Sequence, residues 1–157
     1  MQITNILEYL EDTVRKIPEK TAFSCEEHSL TFTQLYNESR SVGSFLADKG
    51  FYGKPVVVFM KKTPRAVSAF LGVIYAGCFY VALDEEMPRH RIELIIGTIN
   101  AEAVICDDAT SELIKEYGYG GDVYLYNDIA FSEADEAALA SVRDRQTDPD
   151  PIYAVFT

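Results

Sequence analysis

The chain has 157 residues, of which 48% are hydrophobic and 25% charged, with a net charge of −11. This composition is ordinary for a globular domain with one core. The charge is uneven, because residues 1–78 carry nine Lys/Arg and eight Asp/Glu, whereas residues 79–157 carry five and seventeen. An acidic chain repels nucleic-acid phosphates and anionic lipid, so we expect neither nucleic acid nor a membrane as a partner.

The cysteines and the first ten residues bear on the cellular location of the protein. Cys25, Cys78 and Cys106 lie far apart in apolar runs, which predicts three buried thiols in a reducing compartment rather than a disulfide framework or a metal site. Met1–Leu10 has no basic region and holds Glu8 early, which is not typical of a secretory signal. We therefore expect a cytoplasmic protein with no bound metal in this chain.

The first third of the sequence predicts a helix, a hairpin and a second helix. Asn5–Lys16 has apolar residues at helical spacing. Thr21–Ser24 and Leu30–Phe32 are short strand-like runs on either side of a polar turn, which predicts a β-hairpin. The next helix is predicted over Thr33–Lys49, with Thr31 or Thr33 as its cap.

Strands and helices then alternate. Pro55–Met60 is an almost continuous apolar run of the kind found in strands buried on both faces. Thr63 is a predicted cap for a helix that starts at Pro64 and stops at Gly77. The remaining predicted elements are a strand over Phe79–Leu83, a helix from Pro88 to Asn100, a strand over Ala103–Cys106, a helix over Ser111–Tyr117, a strand over Val123–Tyr126, a polar helical segment over Ser132–Arg145, a linker over 145–151 and a last strand over Ile152–Phe156. The order predicts an α/β fold with a mostly parallel sheet flanked by helices.

Familiar chemical motifs are missing from the chain. The Gly50–Lys54 run is too short for a phosphate-binding loop and precedes a strand instead of following one. His90 stands between two arginines at a predicted helix start and is interpreted as a surface residue. These patterns give no catalytic residue.

Three stretches in a fixed order do carry a signature. They are LTFTQL at Leu30–Leu35, LGVIYAGCFYVALD at Leu71–Asp84 followed by Pro88 and Arg91, and IYAVFT at Ile152–Thr157. Together they resemble the first two core motifs and the opening of the third in adenylate-forming (AMP-binding) enzymes. This superfamily includes acyl-CoA synthetases, nonribosomal peptide synthetase adenylation domains and D-alanine–carrier protein ligases, and the amino acid and D-alanine branch is the more similar. The chain departs at Ala82, where Pro is usual, and at Cys78, where a small residue is common.

The resemblance implies a reaction. Such enzymes use ATP and Mg²⁺ to convert a carboxylic acid into an acyl-adenylate and pass the acyl group to a thiol, either CoA or the phosphopantetheine of a carrier protein. Their phosphate loop, acid pocket and catalytic lysine follow the third motif, so the resemblance implies no catalytic residue in this chain. Only Thr157 matches a residue of the loop, which makes it the candidate nucleotide-binding residue.

The second motif also has a structural interpretation. Gly77 fits a left-handed helix end, Asp84 can bond the turn that follows its strand, and Pro88 pre-sets a first helical turn. Arg91 can pair with Asp84 or with a carbonyl. Scaffold roles are favoured for these four residues, and direct ligand contact is the alternative.

The resemblance also implies a partial domain, with residues 1–157 forming the N-terminal part of an adenylation domain that stops before the phosphate loop. Such a fragment would be inactive and would expose apolar surface through which it could self-associate. The alternatives are a stand-alone flavodoxin-like binding or regulatory module, and an interaction domain that uses the acidic second half.

The first prediction concerns the gene. We expect the dozen codons after Thr157 to encode a Ser/Thr/Gly-rich stretch that ends in Pro-Lys-Gly, because that loop follows the third motif in the family. Sequencing the locus checks this, and an in-frame stop codon at that position would contradict it.

Overall fold

The structure is a computed structural model that describes residues 3–157. Residues 1–2 lie outside the described range. The domain expected over residues 1–157 and the N-terminal stretch Met1–Leu10 both begin there. The helices and strands are α1 Leu7–Lys16, β1 Thr21–Ser24, β2 Ser29–Thr31, α2 Phe32–Asp48, β3 Pro55–Phe59, α3 Pro64–Tyr75, β4 Phe79–Leu83, α4 Arg89–Ile99, β5 Ala103–Cys106, α5 Asp108–Glu116, β6 Asp122–Leu125, α6 Tyr126–Ile129 and α7 Glu136–Arg145.

Four strands form a parallel sheet in the order β4-β3-β5-β6. Strand β3 pairs with both β4 and β5, and Val57 lies opposite Val81 on one side and Val104 on the other. Strands β1 and β2 pair antiparallel as a separate hairpin. The α/β class, the parallel sheet and the N-terminal hairpin expected from the sequence are therefore confirmed.

The sheet is covered on both faces, as the apolar run in β3 predicts. Val56 and Val58 point into one cluster with α2, α3 and α6, whereas Val57 and Phe59 point into a second cluster with α4 and α5. All four side chains are at most 1% exposed. Alternation with a period of two thus divides one strand between two cores.

A third layer lies outside α2 and α3. Leu7 and Leu10 of α1, Leu30 of the hairpin and Leu139 of α7 form an apolar cluster with Leu35, Ile74 and Tyr75 of the two helices. Glu11 joins the same layer, since its Oε1 accepts hydrogen bonds from Arg143 Nη2 at 2.7 Å and from Tyr75 Oη at 3.1 Å. The N-terminal and C-terminal parts of the chain are thus tied together.

The helix starts show which caps were correctly expected. Thr31 caps α2, because its Oγ1 accepts from Gln34 N at 3.2 Å while Gln34 Oε1 accepts from Thr31 N at 2.9 Å. The prediction for α5 began too late. Asp107 Oδ1 accepts from Thr110 N at 3.0 Å and caps a helix that starts at Asp108 instead of Ser111. A carboxylate at the cap position satisfies an amide that would otherwise lack a partner.

One expectation about the end of the chain is corrected by the structure. Ile152–Phe156 forms no strand and makes a single parallel bridge between Tyr153 and Tyr80. The segment before it is held in a tight turn, since Thr147 N and Oγ1 donate to the Asp150 carboxylate at 2.7 and 2.9 Å. The polar composition of the linker therefore reflects local hydrogen bonding.

The cysteine prediction was right for two residues and wrong for one. Cys78 and Cys106 are buried, and burial raises the pKa of Cys106 to about 12. Cys25 is exposed, because it follows β1 in the turn of the hairpin. All three thiols are free.

Helices α2 and α3 pack in direct contact at two glycines. A Cβ built on Gly72 would lie 2.5 Å from Val42 Cβ and 2.9 Å from the Ser39 carbonyl oxygen, so no side chain fits there. Gly43 on α2 faces the same crossing, where a Cβ would lie 2.5 Å from Tyr75 Cβ. The two glycines let the helices that cover β3 pack against each other directly.

We predict opposite effects for two helical Gly→Ala substitutions. Gly72→Ala should lower the free energy of unfolding by about 2 kcal/mol, because the added methyl group overpacks the crossing. Gly97→Ala is the matched control, since its Cβ would meet no atom within 4 Å. It should raise stability by about 0.5–1 kcal/mol through helix propensity. Urea unfolding measures both, and equal stabilities for the two variants would contradict the close crossing.

Candidate functional site at the carboxyl edge of the sheet

The four parallel strands end at one edge of the sheet, with Phe59, Leu83, Cys106 and Leu125 as their last residues. In open α/β sheets, ligands bind in the loops that leave this edge. Asp84, Pro88 and Arg91 of the second motif follow β4 here, so three of the four motif residues lie at the carboxyl edge.

Asp84 holds the turn after β4. Its Oδ1 accepts a hydrogen bond from Glu86 N at 3.0 Å, and its carbonyl accepts one from Met87 N at 3.0 Å. Lys62, in the loop after β3, forms an ion pair with the same carboxylate. The Lys62 hydrogen bond, followed by the Glu86 amide, holds the pKa of Asp84 below its ordinary value. One side chain therefore links the exit loops of two neighbouring strands.

Pro88 and Arg91 belong to the start of α4. Pro88 is the residue that precedes the helix, and its carbonyl accepts from Arg91 N at 2.9 Å and Ile92 N at 3.2 Å. Arg91 makes no ion pair with Asp84. Its Nη2 donates to the carbonyl oxygen of Phe156 at 3.0 Å. The exposed guanidinium thus contacts the end of the described chain.

Gly77 lies at the opposite edge of the sheet, before β4. Its φ of +74° is in the left-handed region, and its N–H donates to the Ile74 carbonyl at 2.9 Å. A Cβ there would lie 2.4 Å from Tyr52 Cε2. Gly77 therefore ends α3 and admits the Tyr52 ring, and it is not part of the carboxyl-edge site.

Thr157 reaches this edge through the bridge at Tyr153. Tyr80 N donates to Ile152 O and Ala154 N donates to Tyr80 O, both at 3.0 Å, so the segment runs parallel to β4. Asp84 follows Tyr80 by four residues, and Thr157 follows Tyr153, its partner in the bridge, by the same number. Thr157 is exposed, and the hydrogen bond from Arg91 to the Phe156 carbonyl brings the end of this segment to the first turn of α4.

An apolar cleft beside this edge was not anticipated from the sequence. It has a volume of about 470 Å³ and lies between the hairpin tip and the ends of β3 and β4. Phe23, Met60, Phe70 and Met87 contribute to its walls, and Lys62 and Asp84 to its lining. The aromatic Phe23 in the predicted strand Thr21–Ser24 was the available sequence signal, but only the packing of the hairpin against α3 shows what it faces.

A second, more polar cavity of about 220 Å³ lies where β3 and β5 end. Lys61 N donates to Asp107 Oδ2 at 2.7 Å and connects the two exit loops. Behind the cavity, the buried Glu38 accepts from Tyr126 Oη at 2.5 Å and lies 3.6 Å from Arg65 Nε. Burial, with a smaller effect from Glu38, raises the pKa of Tyr126 far above its ordinary range. The phenol remains protonated and acts as a buried donor.

The described residues contain no evident metal centre. Over residues 3–157, the His, Cys, Asp and Glu side chains form no group of three that could hold an ion. Within the same range, none of the helices combines the length and apolar character needed to cross a bilayer.

The fold and its edge define the class of protein as an open parallel α/β domain with strand order β4-β3-β5-β6, whose exit loops form the candidate site. The sequence profile of the AMP-binding enzyme family matches residues 10–157. The chain therefore belongs to the AMP-binding enzyme family, as the three motifs indicated.

Individual relatives agree with this assignment. The chain is 27% identical to tyrocidine synthase 1 of Brevibacillus parabrevis over 98% of its own length and 14% of the relative. It is 28% identical to the D-alanine–D-alanyl carrier protein ligase of Staphylococcus aureus (strain MRSA252), over 99% of the chain and 30% of the ligase. The chain thus spans less than a third of the length of these relatives.

Solved structures share the fold. The nonribosomal peptide synthetase FmoA3, in a form bound to α-methyl-L-serine-AMP, superposes with a TM-score of 0.82 at 22% identity, over 96% of this chain and 16% of that one. VinN superposes with a TM-score of 0.71 at 21% identity, over 94% and 38% of the two chains.

We predict that the Asp84–Lys62 pair makes stability depend on pH in the acid range. Because the pKa of Asp84 is lowered by folding, its contribution is present above the ordinary pKa of 3.8 and is lost as the pH falls through the lower folded value. Lys62→Gln should raise the pKa of Asp84 toward 3.8. NMR titration of the Asp84 carboxyl carbon measures this shift.

Lys61→Gln is the control for that titration, because Lys61 is the adjacent exposed lysine and contacts Asp107 through its backbone. It should leave the pKa of Asp84 where it is. An unchanged Asp84 pKa in the Lys62 variant would show that the ion pair does not form in solution.

Proposed function

We propose that this chain is part of an enzyme that activates a carboxylic acid with ATP, forms an acyl-adenylate and transfers the acyl group to a thiol. The family match over residues 10–157 is the observation that carries this proposal. The same match makes residues 1–157 the N-terminal portion of an adenylation domain in our proposal, with residues 145–151 leading to the segment that carries Thr157.

We propose an amino acid as the acid that is activated. One relative is named for D-alanine and for the D-alanyl carrier protein, and FmoA3 was solved with an amino-acyl adenylate. These names support an amino acid substrate and a carrier protein, through its phosphopantetheine thiol, as acceptor. CoA remains the other acceptor that the family resemblance implies.

The described residues fit ATP in part and contain no group of three His, Cys, Asp or Glu side chains that could hold Mg²⁺. When bound, ATP supplies the adenylyl group that turns a carboxylate into a reactive mixed anhydride. Thr157 offers a hydroxyl and a backbone N–H at the carboxyl edge of the sheet, where phosphates are commonly held. The described residues provide no cluster of carboxylates for Mg²⁺, so we assign no metal ligand here.

The contribution of this chain to such a reaction is positional. Lys62 neutralises Asp84 at the turn after β4, and Arg91 contacts the carbonyl of Phe156 next to Thr157. Both are scaffold roles, and we propose that Asp84, Pro88 and Arg91 shape the edge while Gly77 fixes the start of β4. We assign no catalytic residue to these 157 residues, and we expect them to be inactive alone.

The stand-alone module of flavodoxin-like shape is not favoured. The strand order of the sheet is shared by flavodoxin-like folds, so topology does not separate the two alternatives. The family match does, because it covers nearly the whole chain. The free thiols Cys25, Cys78 and Cys106 support a reducing, cytoplasmic location in this proposal.

We predict acid-dependent ATP–pyrophosphate exchange by the protein that the gene encodes, and none by residues 1–157 alone. A panel of the common amino acids and D-alanine, with an acid-free reaction as control, identifies the substrate. Exchange should rise above the control for one acid or a few similar ones. Absence of exchange with every acid, or tight ATP binding by residues 1–157 alone, would contradict the proposal.

Self-association stays a prediction. Tyr153 and Val155 are 55% and 73% exposed, so the terminal segment presents apolar surface. Gel filtration of residues 1–157 over a wide concentration range should show concentration-dependent association, and a strict monomer would contradict it.

A further inference from the structure

We propose that Arg91 is a positioning residue for nucleotide binding, because it sets the orientation of the peptide group that joins Phe156 to Thr157. This inference rests on the proposed function. It assigns Arg91 a specific role that the shared motif alone does not define.

The geometry starts from how few bonds hold the terminal segment. In the described part of the chain, the backbone of Ile152–Thr157 makes two hydrogen bonds to other backbone groups, both with Tyr80. They fix Ile152 and Ala154, and the segment continues past them. Arg91 Nη2 then holds the carbonyl oxygen of Phe156 at 3.0 Å. The Arg91 guanidinium thus supplies the polar contact that holds the peptide group between Phe156 and Thr157.

The orientation of Thr157 follows from the peptide bond itself. The group between Phe156 and Thr157 is planar and trans, so the Phe156 carbonyl and the Thr157 N–H point in opposite directions. A donor that fixes the carbonyl therefore also fixes the N–H. With Arg91 on one side of this peptide, the Thr157 N–H is directed away from α4 and is available to an acceptor such as a phosphate oxygen.

Helix α4, which carries Arg91, is packed against the sheet. Ile92 and Ile95 on the same helix are 0% and 4% exposed and pack beneath the sheet. Arg91 enters no ion pair among the described residues, so its bond to Phe156 does not compete with a carboxylate. A charged donor to a carbonyl is a stronger hydrogen bond than a neutral one. The side chain is therefore suited to hold a backbone group against thermal rotation.

The experiment compares Arg91→Gln and Arg91→Lys with Arg89→Gln in the full protein that the gene encodes. Arg89 is the matched control, since it is also exposed on α4 and carries the same charge, but it contacts Glu93, Tyr117 and the Glu116 carbonyl. Titration calorimetry gives the ATP dissociation constant, and hydrogen exchange gives the protection of the Tyr80 and Ala154 amides. Thermal unfolding reports any general loss of stability.

We expect Arg91→Gln to weaken ATP binding by about five- to tenfold, which lies within the range for loss of one hydrogen bond of ordinary strength, as suits an exposed side chain. The Michaelis constant for the acid should be unchanged, and the Ala154 amide should exchange faster. Arg91→Lys keeps a charged donor and should restore part of the affinity. Arg89→Gln should bind ATP like the unsubstituted protein, with similar unfolding temperatures for all variants.

Each contrary result is informative. Equal ATP affinity in Arg91→Gln and Arg89→Gln, or parallel losses for ATP and the acid, overturns the positioning role. Unchanged exchange of the Ala154 amide overturns the hold on the terminal segment. If the unsubstituted protein binds no ATP, the proposed function and the nucleotide role of Arg91 fall together, and amide exchange alone then decides whether Arg91 fixes the segment.

Discussion

Strand β3 imposes the main constraint on this molecule. Its residues Val56, Val57, Val58 and Phe59 are all buried, and alternate ones face opposite sides of the sheet. A strand of this kind is stable only if helices cover both faces and other strands pair with both edges. The layers of α2 and α3 on one side and α4 and α5 on the other follow from that requirement. Gly43 and Gly72 then allow α2 and α3 to pack closely against each other as they cover their face of the sheet.

Because β3 is central, its exit loop is surrounded by the exit loops of β4 and β5. Lys62 in this loop pairs with Asp84 after β4, and the Lys61 amide bonds Asp107 after β5. The carboxyl edge is thus connected by polar contacts that run outward from one strand. This arrangement explains why the candidate site is organised by residues that are distant in sequence and adjacent in the sheet.

Much of the fold could be predicted from the sequence, because the signals are local. The PVVVF run of β3, the capping box at Thr31 and the glycine at the end of α3 each depend on a few neighbouring residues. The start of α5 was misplaced because the Asp107–Thr110 capping box lies upstream of the apolar residues that marked the helix. The strand expected over Ile152–Phe156 has the right alternation of half-buried and exposed residues, but the backbone pairs at one position only.

The site was harder to predict than the fold, because its contacts join residues that are distant in sequence. Arg91 and Phe156 are 65 positions apart, and Lys62 and Asp84 come from different loops, so neither pairing leaves a trace in local sequence. The Cys25 prediction failed because burial was inferred from the strand before it, whereas the hairpin turn exposes it. The apolar cleft depends on how the hairpin packs on α3 and could not be derived from periodicity.

The spacing within the second motif also has a physical meaning. Gly77 and Asp84 are seven residues apart, which is roughly 23 Å in an extended strand at about 3.3 Å per residue. That length carries the chain from the amino edge of the sheet, where Gly77 ends α3, to the carboxyl edge, where Asp84 begins the turn into α4. The spacing between Gly77 and Asp84 therefore matches the length of a strand that crosses the sheet from one edge to the other. Only Asp84, at the carboxyl edge, need lie near a ligand.

Charge explains why the carboxyl edge carries a paired carboxylate. The chain has a net charge of −11, so an anionic nucleotide approaching it meets general repulsion. A bare carboxylate at the carboxyl edge would add to this repulsion at close range, where Coulomb interactions are least screened. Pairing with Lys62 offsets the charge of Asp84, one of three consecutive acidic residues with Glu85 and Glu86, while the Asp84 carboxylate still accepts the Glu86 amide and holds the turn. On the proposed function, the ion pair at this exposed edge therefore lowers the repulsion that a phosphate meets by one carboxylate, while its contribution to the stability of the fold is small because exposed pairs are well solvated.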